Sequence, residues 1–250
     1  MSGFLLRLAG PMQSWGERSA FDMRDTAAFP TRSGLLGLLA CVLGRSRGES
    51  LDDLAQLSFT IRIDRPGVRM IDYQTTGGAL PVRGPKVPTA DGKGRPNAKG
   101  TLQTWREYLA DAVFIVAVTG PDEILDRARA GLLKPRWQPF LGRRSCPPDA
   151  PLLLDRLVSD PIAELRTGVP LARRVSEGAD VEVDFLTPTG RVDEVHSEIH
   201  DVPITFATVD RAYRPRPVWR HTESLDPALG VRDLRDYPAR LADYVRGETA

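Results

Sequence analysis

Two clusters in this 250-residue chain have the residue types and spacing to hold a phosphodiester. The first, Gly10-Pro11-Met12-Gln13-Ser14-Trp15-Gly16, combines flexible backbone with an amide, a hydroxyl and an indole. The second, Phe29-Pro30-Thr31-Arg32-Ser33, sets hydroxyls and a guanidinium at a helix start. Unpaired N–H groups and the positive end of a helix dipole attract phosphate oxygens at such a place. Gln13, Ser14, Thr31, Arg32 and Ser33 are therefore candidate nucleic-acid ligands, and Arg24 lies between the two clusters. Trp15 offers either a platform on which a base stacks or a core tryptophan.

Basic charge is also concentrated. Arg83, Lys86, Lys93, Arg95 and Lys99 outnumber the single Asp91 of their stretch; Lys134, Arg136, Arg143 and Arg144 form a second group, and Arg211, Arg214, Arg216 and Arg220 a third. Since the whole chain carries only +1, the remainder is acidic. Basic stripes on an acidic body suit local binding of a polyanion. Three solvated loops are the alternative reading.

The elements that must position these residues follow from periodicity. Gly3 to Ala9 reads as a buried strand leading into the first cluster. From Ser33 to Leu43 apolar residues cover most of a helix surface, with Thr31 or Ser33 as N-cap and Gly44 as stop. Phe59, Ile61 and Ile63 alternate with Thr60, Arg62 and Asp64 as in a half-buried strand, and Val68 to Thr75 reads as its partner across an Arg65-Pro66-Gly67 turn. Regular patterning stops between Gly77 and Gly100, a Gly/Pro-rich connection of the length that is usually functional. Order returns at Thr101 to Leu109, Ala112 to Val118 suits a central strand, Pro121-Asp122-Glu123 opens a helix ending at Gly131, and Leu152 to Leu154 closes the series. This order matches a ferredoxin-like βαββαβ unit with an arm inserted between its second and third strands. Beyond about residue 156, Val181, Val183 and Phe185 alternate with acids, Ile204 and Phe206 suggest a further strand, and Tyr213 to Pro217 is extended and basic.

Hydrophobic residues make up 41% of the chain, enough for a sizeable core and too many for global disorder. With no run of eighteen apolar residues and a first segment that reads as a strand, the expectation is a soluble, cytoplasmic protein without a membrane partner. Cys41 and Cys146 have neither disulfide nor metal-ligand spacing and are expected to be free thiols.

The segments LRLAGPMQSWG, FPTRSGLLGLLA, TLQTWREYLADA, LKPRWQPFLGRRSCPP and DRAYRPR resemble, in this order, the Cas-five family (subtype e) of the RAMP superfamily, subunits of the type I-E CRISPR complex Cascade. The resemblance implies an α+β protein: a ferredoxin-like (RAMP/RRM-like) βαββαβ domain over residues 1–155, a β-hairpin thumb inserted at about 77–100, and a small strand-rich C-terminal extension over 156–250. It implies that the thumb grips the 5′ handle of a crRNA. The partners implied are Cascade backbone subunits and the large PAM-reading subunit, with target DNA met only through the complex, in antiviral defence. No cofactor, metal or catalytic residue is implied. Carried onto matching positions, Gln13, Ser14, Trp15, Thr31, Arg32 and Ser33 face the handle, while Arg83, Lys86, Lys99 and Thr101 belong to the thumb and its end. Tyr73, Gln74, Gln103, Trp105, Arg106 and Tyr108 flank the thumb's base, where the aromatics could instead serve core packing. Arg136, Arg143 and Arg144 form a phosphate clamp or pair with acids of a neighbouring subunit.

Two other functions compete. An endoribonuclease that cuts precursor crRNA without metal needs a base for the 2′-hydroxyl and an acid for the leaving oxygen. The histidines, His196, His200 and His221, all lie beyond the main domain; the spacing of His196 and His200 fits a metal pair on a helix or, with Pro203 nearby, a surface loop. A scaffold whose basic segments meet only acidic proteins is the other reading. Walker, GxSxG and paired-carboxylate motifs are absent from the sequence.

Overall fold

The computed structural model describes residues 2–17, 22–76, 102–156, 158–176, 180–190, 196–207 and 212–248. In chain order the elements are β1 (Gly3–Ala9), β2 (Met12–Gln13), β3 (Met23–Arg24), α1 (Arg32–Val42), β4 (Ser58–Arg65), β5 (Val68–Thr76), β6 (Leu102–Ala110), β7 (Val113–Thr119), α2 (Asp122–Leu133) and β8 (Leu153–Leu154). They continue with α3 (Pro161–Thr167), β9 (Val181–Thr187), β10 (His196–Pro203), β11 (Tyr213–Leu225) and α4 (Tyr237–Arg246).

The main sheet has the order β10-β11-β9-β4-β7-β1-β8. Within it β4-β7-β1-β8 are the second, third, first and fourth strands of a βαββαβ unit, each antiparallel to its neighbour. That is the ferredoxin-like arrangement. α1 and α2 cover one face, where Leu6, Leu8, Phe59, Ile61, Phe114 and Val116 meet the α1 leucines and Ile124, Leu125 and Ala128. The alternate residues Leu5, Ala9, Val113, Ile115 and Ala117 point to the other face, covered by Leu165 of α3 and by Tyr237, Leu241 and Tyr244 of α4. A sheet covered on both faces explains why β1 and β7 read as near-continuous apolar runs.

Double coverage corrects the reading of β4 as half-buried. Thr60, Arg62 and Asp64 are buried with the apolar set, because residues 165–172 lie over their face. Arg62 and Asp64, both fully buried, bond through Nε to Oδ1 at 2.7 Å and through Nη2 to Oδ2 at 3.1 Å. Arg62 also donates to the carbonyls of Leu165, Val169 and Pro170, and Asp64 accepts from the N–H of Ala172. A buried charge pair persists only when its remaining hydrogen-bonding capacity is also filled, as here.

The expected pairing of β5 with β4 is also corrected. Both edges of β4 are taken, by β7 and β9, so β5 pairs with β6 in a long antiparallel ribbon from Val68↔Ala110 to Thr76↔Leu102. β2 and β3 flank the other side of β6, which ties the opening loop to the ribbon's base. The thumb expected at about 77–100, with Arg83, Lys86, Lys99 and Thr101, lies outside the described residues.

The C-terminal residues extend the main sheet: β9 bonds to β4, β11 to β9 and β10 to β11. Ile204 and Phe206, expected on a strand, follow β10, which ends at Pro203. His196 and His200 stand on β10 rather than on a helix or loop.

Candidate nucleic-acid interface

The opening loop is fastened from within. Gln13, fully buried, donates from Nε2 to the carbonyls of Leu8 (2.9 Å) and Ala112 (2.8 Å) and accepts from the Trp15 indole N–H at 3.1 Å. The backbone N–H of Trp15 donates to Thr26 Oγ1 at 2.8 Å, and Ser14 Oγ donates to the Glu107 carbonyl at 3.0 Å. The Trp15 ring is fully buried against Gly34 of α1, where an added Cβ would lie 2.6 Å from it. Of the two roles open to Trp15, the structure places it in the core. Gln13 and Tyr108 are corrected with it, since neither presents a free face: Tyr108 is buried beneath the Arg143 guanidinium, 4.9 Å from its ring centroid.

The start of α1 is likewise occupied. Thr31, buried, accepts from the Gly34 N–H at 3.2 Å, as an N-cap does. The Arg32 N–H donates to Asp201 Oδ2 at 2.6 Å; this fully buried carboxylate of β10 also accepts from Arg216 Nε at 2.7 Å and Nη2 at 2.9 Å. The anion that the helix dipole favours is thus supplied by the chain itself. The Arg32 guanidinium donates to the carbonyls of Leu57 and Ala55, and its pKa is lowered by burial and by nearby Arg216. The expectation that Thr31 and Arg32 receive phosphate is corrected accordingly. Of the three, Thr31 and Ser33 border open space, Thr31 with its hydroxyl already engaged as the cap, and Arg32 does not.

That space is a cleft of about 1090 Å³, open to solvent, between α1, the 137–147 loop and the residues around β10 and β11. Its walls include Ser33, Arg24, Arg45, Arg47, Trp137, Arg143, Arg144, Phe206 and Tyr213. The loop reaches its position through Gly142, whose φ of +82° and close approach to the Ser14 carbonyl exclude a side chain. Ser14 N–H donates to the Leu141 carbonyl at 3.1 Å, and Arg136 N–H to that of Val42 at 2.8 Å. Arg143 acts as a strut, donating to the carbonyls of Glu107 (3.2 Å), Arg24 (2.9 Å) and Asp25 (3.2 Å). Arg45 is paired with Asp53, and the Arg47 guanidinium lies 4.3 Å from the Phe206 ring centroid. Arg24 and Arg144 are exposed, and their side chains have no hydrogen bond or ion pair among the described residues. Trp137, 44% exposed, adds an aromatic face.

The other candidates fall elsewhere. Tyr73 and Trp105 face each other on the ribbon with centroids 5.3 Å apart, Gln74 bonds to Asp72, Arg106 Nε donates to Thr104 Oγ1 at 3.2 Å, and Gln103 is exposed. Arg136 is exposed outside the cleft, its methylenes over Gly44. In the third basic segment Arg216 is held by Asp201 and Arg220 by Asp184, Arg214 is exposed, and Arg211 lies outside the described residues. Arg45, Arg47, Trp137, Phe206 and Tyr213 were missed as cleft residues; only Trp137 carried a signal, standing beside Arg136 and near Arg143 in one irregular segment.

Among the described residues no histidine lines the cleft. His221 Nε2 lies 2.8 Å from Glu223 Oε1, with its ring stacked on Phe185. Among the described residues no group of three His, Cys, Asp or Glu could hold a metal, and no helix is long and apolar enough to cross a membrane. Cys41 and Cys146 are free and buried, and burial raises both thiol pKa values.

A ferredoxin-like unit with an inserted ribbon and a cationic cleft at its base defines a class, and the comparisons name it. The family model for CRISPR-associated protein (Cas_Cas5) matches residues 3–219, and the chain belongs to that family. It is 38% identical over 207 residues to the CRISPR system Cascade subunit CasD of Escherichia coli (strain K12), covering 76% of this chain and 87% of that protein. Among solved structures it resembles a chain of a CRISPR RNA-guided surveillance complex, with 47% identity and a TM-score of 0.87 over 98% of this chain and all of that one. A second, described as a Cas protein, gives 32% identity and a TM-score of 0.61, covering 92% of this chain and 98% of that one.

Proposed function

We propose that this chain is a crRNA-binding, non-catalytic subunit of a type I-E Cascade complex in the cytoplasm, and that its cleft and arm hold the 5′ handle of the crRNA. The observation that carries the reading is the pair of unengaged guanidinium groups, Arg24 and Arg144, beside the exposed Trp137 ring in an open cleft. Cations on a groove wall with a free aromatic face are what a single-stranded nucleic acid requires, phosphates going to the first and a base to the second. Ser14 and Arg143 serve as the frame of the cleft and Ser33 as part of its wall. The arm, with Arg83, Lys86, Lys99 and Thr101, would continue the contact along the backbone. The ribbon exposes Val68, Ile71 and Tyr73, an apolar edge suited to a backbone subunit of the complex. The large PAM-reading subunit completes the set of partners, and target DNA is met through the assembly.

The test is a pair of RNAs, one carrying the repeat-derived 5′ handle and one lacking it, each titrated into the purified protein. Preference for the handle supports the reading, and equal binding or none overturns it. Incubation of the same protein with repeat RNA in EDTA should leave the RNA intact; a discrete cut would replace the non-catalytic reading with the endoribonuclease.

A further inference from the structure

On the face of the main sheet opposite the cleft, a second cavity of about 500 Å³ opens between β1, the 149–151 turn and α4. Ala150, Pro151, Leu241, Ala242 and Val245 make its walls apolar, and one polar group is set into them, the guanidinium of Arg7. Arg7 is 9% exposed. Its Nη1 makes one long bond to the Ala150 carbonyl, at 3.4 Å, and its buried Nε has no acceptor. The group lies 5.6 Å from the Tyr237 ring centroid, a contact that favours the charge, and its buried Nε–H remains without an acceptor. Asp149 and Arg246 stand exposed at the rim, and among the described residues no ion pair joins Asp149 to Arg7.

A buried cation with vacant donors calls for an anion to complete it. The forked N–H geometry of arginine fits a carboxylate through two parallel bonds. Arg246 at the rim is paired with Asp243 and Glu248, so Arg7 is the cation left to bind, and with Asp149 at the mouth the site suits one negative charge better than the two of a phosphate; the apolar walls require that the charge arrive on an apolar body. We infer that this cavity is a binding site for a carboxylate carried on an apolar group, held by Arg7 and walled by α4. α4, which supplies one wall, lies beyond the residues matched by the family, while Arg7 and the 149–151 turn lie within them, and the site shares no lining residue with the RNA cleft.

The full chain, with its arginine side chains labelled for NMR, is titrated with hexanoate, hexanol, inorganic phosphate, and a short peptide ending in leucine as free acid or amide. Hexanoate should saturate the site and shift the Arg7 Nε–H signal, while hexanol, phosphate and the amide should not. Saturation by the free-acid peptide as well assigns a polypeptide C-terminus as the natural source, and by hexanoate alone a small organic acid. Arg7→Gln should weaken hexanoate by about tenfold or more, the scale of hydrogen bonds to a charged group. Ala242→Trp, which fills the cavity from a half-exposed helix position and keeps Arg7, should do the same and serves if Arg7→Gln fails to fold. Absence of saturable carboxylate binding overturns the inference, as does equal binding of hexanol or phosphate, or undiminished binding in a folded variant.

Discussion

Removing the two unengaged arginines should weaken RNA binding at low salt and flatten its salt dependence. In Arg24→Ala/Arg144→Ala no internal hydrogen bond or ion pair is lost among the described residues, and folding should be unchanged. Each phosphate neutralised on a single strand contributes about 0.7 to the slope of log K against log salt, so losing two should flatten the slope by about 1.4. Between ~50 and ~200 mM salt the native protein should therefore lose about sevenfold more affinity than the variant. The matched control is Arg32→Gln/Arg216→Gln, which removes the same formal charge from groups already engaged by the Leu57 and Ala55 carbonyls and by Asp201. Its slope should match that of the native protein. The assay is filter binding or fluorescence anisotropy with handle RNA across salt, with urea unfolding run on each variant to confirm the fold. A control slope flattened as much as that of Arg24→Ala/Arg144→Ala would refute the division between free and engaged cations.

Two further outcomes follow from the charge pairs. Asp64→Ala leaves the Arg62 guanidinium buried without its anion and should cost about 3–5 kcal/mol, a fall in Tm of roughly 6–20 °C for a chain of this size. The double variant Arg62→Met/Asp64→Leu should recover only part of that in the same thermal melt, because the Leu165, Val169 and Pro170 carbonyls lose their donor. The Arg45 guanidinium, bonded to Asp53, holds that carboxyl down at about 2, with Arg127 adding to it. A depressed folded-state pKa stabilises the fold above the ordinary carboxyl value, so the stability lead over Asp53→Asn should be constant above about pH 5 and shrink as pH falls through 4 towards 2. A lead that persists at pH 2 in acid-unfolding curves would contradict the pairing.

Much of the scaffold was legible because it rests on short-range rules. The apolar run of β1, the Thr31 cap and Gly44 beyond the end of α1, the buried stretch of β7 and the acids opening α2 are all signals within a few residues of what they specify. Their order was enough for a βαββαβ unit, and the five co-ordered segments were enough for the family. The candidate site was legible in location rather than in membership. The opening loop, the α1 start and the Arg143 loop do meet around one cleft, yet Gln13, Trp15, Arg32 and Arg143 hold it together while Arg24, Arg144 and Trp137 face into it.

By itself, then, the sequence determined the strands and helices of the βαββαβ unit, where α1 starts, and that cations gather in a few stretches. Tertiary structure decided which of those groups remain available. Asp201, remote from α1 in sequence, takes its first N–H together with Arg216, and residues 165–172 bury Arg62 and Asp64 on a strand face that alternation alone would leave in solvent. The reason is physical: periodicity and capping act over one turn or one pleat and are written locally, whereas a charge takes the partner that folding places beside it, at a sequence distance that no spacing rule records.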